Sequence, residues 1–163
     1  MLEAAMDFAD LLDHQMYVVT AASGGTRAGC LVGFASQCSI SPERFMVWLS
    51  KENHTYRVAL EAPFLGVHLL APEQFGLAEL FGSRTGDLVD KFAEVPWRPG
   101  PGGTPVLTDV PAWFVGRVER HTDGGDHVGF VLSPADGGAR DVERGATLRL
   151  SDVLGLTPGH PAG

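Results

Sequence analysis

Three short stretches carry most of the chain's potential for chemistry. The first is Ser50-Lys51-Glu52-Asn53-His54-Thr55, which leaves an apolar run and enters a helix start. Backbone N–H groups at a helix N-terminus favour an anion, Lys51 adds a positive charge, and Ser50, Asn53 and Thr55 add donors, so a phosphate would be held well there. The plain alternative is a solvated turn with an ordinary cap. The second is Gly33-Phe34-Ala35-Ser36-Gln37-Cys38-Ser39, where small residues let a flat ring approach the strand backbone and Gln37 and Ser39 could bond its heteroatoms. The alternative there is a twisted strand end with a bulge. The third is Gly125-Asp126-His127, in which an acid beside a histidine can orient a substrate or supply a proton. Such a pair also simply finishes a turn.

The elements that must position these groups follow from the apolar pattern. Residues 2–12 carry Leu2, Met6, Leu11 and Leu12, a short helix expected to pack on the core. Met16 to Ala22 is a continuous β-rich run, Ser23-Gly24-Gly25-Thr26 a tight hairpin turn, and Arg27 to Gln37 the returning strand. Ser41-Pro42-Glu43-Arg44 is a turn, Phe45 to Leu49 a strand, and Asn53, His54 or Thr55 caps a helix that Pro63 stops. Phe64 to Leu70 is a further strand, and Pro72 opens a helix to about Phe81. A second short helix spans Asp87 to Phe92, and Trp97 to Gly103 is a loop. Pro105 to Leu107 starts a strand. Ala112 to His121 and His127 to Leu132 pair across Asp123-Gly124-Gly125-Asp126, Asp136-Gly137-Gly138 is another turn, and the tail from Leu154 is irregular. Six or seven short strands joined mostly by hairpins predict a mainly β fold, a small antiparallel barrel with peripheral helices, in one domain over 1–163.

Bulk properties narrow the function. A formal net charge of −8 and the lack of basic clusters argue against a nucleic-acid partner. Apolar runs are too short to span a bilayer, and the N-terminus does not resemble a secretory signal, so no membrane association and a cytoplasmic location are expected. Cys30 and Cys38 lack metal-ligand spacing and would lie roughly 26 Å apart along a strand at ~3.3 Å per residue, so both are expected to be buried free thiols with no metal site. His68 reads as a satisfied core group. GxGxxG after a strand, GxxxxGK[ST], HExxH and GxSxG are all absent, which argues against Rossmann, P-loop, zincin and serine-hydrolase chemistry.

The ordered set of these loose motifs resembles the flavin reductase-like family, whose members adopt the FMN-binding split β-barrel. The matching features are YVVTA, the stretch Gly29 to Pro42 ending CSISP, the strand ending Ser50-Lys51 with Thr55 shortly after, and FLGVHLL at 64–70. They continue with Leu77 to Phe81, Lys91-Phe92, the Trp97 loop before Pro105-Val106-Leu107, and Gly125-Asp126-His127, so that the resemblance covers about residues 14–135. The chain departs from the family at Leu31-Val32-Gly33-Phe34, where Thr and Ser are usual, and at Pro42-Glu43, where a double proline is usual. The resemblance implies an NAD(P)H-dependent flavin oxidoreductase that binds FMN or FAD, uses NADH or NADPH, forms a homodimer and could supply a monooxygenase. It assigns the flavin phosphate to Ser50, Lys51, Asn53, His54 and Thr55, and the ring to Gly33, Ser36, Gln37 and Ser39. Phe81 and Phe92 become candidate walls, Lys91 a secondary anion contact, and His127 the residue where nicotinamide enters. Two other functions fit the same features: a split-barrel protein that holds flavin or haem without NAD(P)H turnover, and a dimeric structural domain without a ligand.

Overall fold

The computed structural model describes residues 7–83 and 90–156. Nine strands are present among them: β1 Tyr17–Ser23, β2 Thr26–Val32, β3 Ala35–Ser39, β4 Arg44–Ser50, β5 Phe64–Leu69, β6 Trp97–Pro99, β7 Pro105–Leu107, β8 Ala112–Asp123 and β9 His127–Ala139. Seven form one antiparallel sheet in the order β2-β1-β5-β8-β9-β4-β3, and β6 and β7 form a separate two-stranded ribbon. Helices α1 (His54–Ala59) and α2 (Phe75–Ser83) and a 3-10 turn at Lys91–Ala93 lie between the strands. Two register shifts, with Ala135 of β9 and Glu119 of β8 as the extra residues, bend the long β8–β9 hairpin, as an extra residue on one strand does.

β1 explains why the early apolar run is continuous. Tyr17, Val19 and Ala21 face one core, shared with Val47, Leu49, Val67 and Phe130. Met16 and Val18 face a second core, shared with Leu70, Phe81, Phe92 and Leu107. Successive side chains of a strand point to opposite faces, so a strand covered on both sides must be apolar throughout. The β1–β2 turn needs Gly24 and Gly25 because both have positive φ, +55° and +81°.

Several elements differ from the sequence expectation. The single returning strand is two, because the chain breaks pairing at Gly33-Phe34 and changes neighbour, from β1 to β4. The Trp97 loop contains β6, which pairs with β7 around a turn at Pro101–Gly103. β9 does not stop at Leu132: the start of β8 extends the ladder, with Phe114 opposite Gly137 and Trp113 opposite Gly138. The expected turn at Asp136-Gly137-Gly138 is therefore strand, and a Cβ on Gly138 would sit 2.9 Å from the Trp113 Nε1. Pro72 lies outside α2, in the turn before it. Cys30 is buried but Cys38 is exposed, since β3 is an edge strand with its middle facing outward. Of the expected N-terminal helix only a turn at 7–10 falls within the described residues, and Phe8 and Leu11 there are exposed rather than packed on the core. The Asp87–Phe92 helix and the tail fall largely outside the described residues, and Lys91 and Phe92 begin a 3-10 turn.

His68 is the satisfied core histidine that the sequence suggests. It is fully buried, its Nδ1–H donates to the Val18 carbonyl at 2.9 Å, and its Nε2 accepts from the Leu107 amide at 3.0 Å. One neutral ring thus ties β5 to β1 and β7. Burial pushes its pKa from 6.5 down to about 4. A base whose folded pKa is depressed contributes stability that is complete above 6.5 and is lost as pH falls through about 4. Urea unfolding across that window is expected to show about 3 kcal/mol of loss attributable to this group. The loss should be absent in His68→Gln; an unchanged pH slope in that variant would refute the assignment.

Candidate functional site

The β4–β9 ladder ends with Ser50 opposite His127. One residue further, the Lys51 amide donates to the Asp126 carbonyl at 2.9 Å. Two of the three sequence clusters, 77 positions apart, therefore meet at one end of the barrel. Ser50 is buried, and its Oγ accepts from the Glu52 amide at 3.3 Å. Asn53 caps α1, its side chain accepting from the Thr55 amide at 2.8 Å. His54 begins that helix and is half-buried.

His127 is held from two sides. Its Nδ1 lies 2.7 Å from Asp126 Oδ1, and a carboxylate can only accept there, so Nδ1 carries the proton and Nε2 faces away. The hydrogen bond from His127 holds the Asp126 carboxyl below its usual range. The Phe34 ring packs against the imidazole with centroids 5.0 Å apart, and His14 meets Phe34 edge to face at 5.4 Å. Phe34 is still 49% exposed, so the stack presents a flat apolar face at the barrel end. Gly33 lies beside it, and a Cβ there would come within 3.2 Å of the Met16 sulfur.

Lys51 Nζ pairs with Asp123 Oδ2 at 3.0 Å. Asp123 also accepts from the Gly125 amide, and that bond followed by the Lys51 pair holds its carboxyl below the usual range. Phe34, His14 and Asp123 are the parts of this arrangement that sequence reasoning missed. Phe34 sits inside the small-residue stretch 33–39, which was the available signal for it; none marked the Lys51–Asp123 pairing across 72 positions.

The other sequence candidates lie elsewhere. Gln37 pairs with Phe45 and Ser39 with Arg44, at the far end of β4. That is five to six residues from Ser50, about 16–20 Å at ~3.3 Å per residue. Ser36, opposite Met46, is exposed between the two ends. Thr55 is turned inward, where its side chain bonds the buried Cys30 thiol, whose pKa burial pushes up to about 11. Phe81 and Phe92 are packed into the second core with ring centroids 5.7 Å apart. Lys91 is buried beside them, its Nζ donating to the Gly29 and Phe81 carbonyls at 2.9 and 3.2 Å. Among the described residues it meets no carboxylate, and burial lowers its pKa. Among the described residues no group of three metal-ligating side chains occurs, and no helix is long and apolar enough to cross a membrane.

The fold agrees with that of the chain's relatives. The family model for the flavin reductase like domain matches residues 10–151, and the chain belongs to that family. It is 30% identical over 159 residues to an FMN reductase (NADH), RutF, of Methylorubrum extorquens, covering 93% of this chain and 77% of that one. It is 34% identical over 103 residues to the reductase subunit HsaB of a flavin-dependent monooxygenase of Rhodococcus jostii, covering 61% and 51%. The solved flavin reductase domain protein of Arthrobacter sp. FB24 superposes with a TM-score of 0.77 at 20% identity, covering 91% of this chain and 95% of that one. That likeness shows the split-barrel fold. The chain spans half or less of the length of some curated relatives, 36% of one and 50% of another.

The two lysines are expected to behave differently. Lys91→Ala leaves two buried carbonyls without their donor and opens a cavity, and should lower stability by about 2–4 kcal/mol in denaturant unfolding. Lys51→Ala should leave the unfolding midpoint unchanged, because its pair is exposed. Equal effects on stability would contradict this division.

Proposed function

We propose that this domain is an NAD(P)H:flavin oxidoreductase that binds FMN or FAD at the Ser50–His127 end of the barrel. The observation that carries the proposal is the Ser50–His127 register pair, which sets a hydroxyl and the following lysine beside an oriented imidazole that packs on Phe34. The residues suit a phosphorylated planar group. Ser50, Lys51, Asn53 and His54 would hold the phosphate, while Gly33, Phe34 and Ser36 would lie along the ring. Gln37 and Ser39, at the other end of β4, and Thr55, Phe81, Lys91 and Phe92, buried in the core, lie outside this site.

A bound flavin supplies the hydride-accepting chemistry, taking two electrons and a proton's mass as hydride from NADH or NADPH. The chain's own work is placement. Asp126 keeps the His127 proton on Nδ1 and so presents Nε2 as an acceptor, suited to an amide N–H such as that of a nicotinamide carboxamide. Hydride transfer needs alignment of two rings more than a proton donor, so His127 acts by positioning. β3 is an edge strand, and the neighbouring Phe34 and Ile40 are 49% and 85% exposed. A second copy covering this face would form the homodimer and exclude water from the ring. The relatives named as reductase subunits of monooxygenases support reduced flavin as a product handed to an oxygenase.

Lys51 must exchange Asp123 for the phosphate, which makes the ion pair a brake on flavin affinity. Lys51→Ala is expected to weaken FMN by about ten-fold, as loss of one charge-assisted hydrogen bond does, and to leave riboflavin unaffected. Asp123→Asn should tighten FMN by roughly 2- to 5-fold at low salt, again without effect on riboflavin. Both are read by flavin fluorescence titration. Flavin-dependent loss of NADH or NADPH absorbance tests the activity itself, and His127→Ala should lower kcat/KM for the nicotinamide by about 10- to 100-fold. Tight flavin binding with no NADH or NADPH consumption would instead define a binding protein.

A further inference from the structure

The other end of the barrel holds a cavity of about 310 Å3 that the proposed flavin chemistry does not use. It opens among the start of β1, the outer half of β3, the start of β4 and the start of β8. Tyr17, Phe45 and Phe114 form a chain of edge-to-face rings in its wall, at 5.8 and 5.5 Å between centroids. Such a wall, with ring edges and faces both available, favours a flat aromatic guest over a saturated one. Arg44 lies in the lining. Among the described residues its guanidinium forms no ion pair, and one N–H donates to the Glu43 carbonyl at 2.7 Å. Four of the five guanidinium donors of an arginine thus remain for a ligand, in a fork that matches a carboxylate. The Glu43 carboxylate shares the rim but is exposed and keeps its own hydration. Gln15 and the Tyr17 hydroxyl are already bonded to each other and the Gln37 amide donates to the Ser39 carbonyl, so Arg44 is the one cation among the lining residues.

We infer that this cavity is a second small-molecule site, for a planar aromatic carboxylate of one or two rings. The carboxylate meets Arg44 and the ring lies against Phe45 and Phe114. The site is independent of the flavin reading, because Arg44 stands six residues along β4 from Ser50, about 20 Å at ~3.3 Å per residue.

Calorimetric titration of the full chain with 2-naphthoate, with and without FMN, tests the inference. Saturable binding of one ligand per chain is expected, unchanged by FMN. It should weaken at least about ten-fold in Arg44→Gln and recover in part in Arg44→Lys. 2-Naphthylmethanol, which lacks the charge, and cyclohexanecarboxylate, which lacks the flat ring, should bind more weakly. Thermal unfolding of each variant confirms that it is folded, and Phe114→Leu provides a second disruption that leaves Arg44 in place. The inference is overturned by absence of saturation up to about 5 mM, by affinity that Arg44→Gln leaves unchanged, or by competition with FMN. It is equally overturned if Arg44→Gln shifts a monomer–dimer equilibrium while naphthoate fails to bind, since the cavity is then covered by a second copy.

Discussion

The antiparallel pairing of β4 with β9 is the constraint on which the candidate site depends. It runs from Phe45 opposite Leu132 to Ser50 opposite His127 without a bulge. A one-residue slip would turn every side chain of β4 to the other face, taking Val47 and Leu49 out of the core. Burial of those residues therefore sets where Ser50, Lys51 and His127 meet. The polar end of the ladder is positioned by the apolar middle, and its geometry is as rigid as the core that specifies it.

Around this ladder, charge is distributed by depth. At the surface, Lys51, Asp123, Asp126 and His127 form two pairs that solvent screens, so each can be exchanged for a ligand at small cost. Below them, Lys91 is desolvated and, among the described residues, its hydrogen bonds go to the backbone carbonyls of Gly29 and Phe81. It joins β2 to the end of α2 through groups that would otherwise be left without partners in the second core. His68 does the same for β1, β5 and β7 as a neutral ring. Buried polar groups here hold the frame, and exposed ones are left to meet ligands.

The two ends of the barrel differ in chemistry for the same reason. At the Ser50 end the strands stop in small polar residues and turns. At the Arg44 end aromatic rings from β1, β4 and β8 converge on a space that none of the described side chains fills.

Much of this was legible in the chain itself. Apolar runs, Gly-Gly turns and the helix cap at Asn53 are local signals, and they marked β1, β4, β5, β8 and α1 to within a few residues, but not the break between β2 and β3, the strand β6 or the far half of β9. The ordered motifs at 29–42, 50–55 and 125–127 were enough to indicate the family and the flavin chemistry it carries. What depends on contacts between distant residues was not legible. The side chain of Lys91 reads as a surface cation until its carbonyl partners are known, and Phe34 reads as core until its exposure is. The extension of β9 through Gly137-Gly138 is stable only because the start of β8 lies beside it. The amino-acid order determined the secondary elements and the class of chemistry, since those rest on local propensity and residue type. Tertiary structure alone decided which polar groups face a ligand and which are sealed in the core, because that is settled by strand register across the barrel.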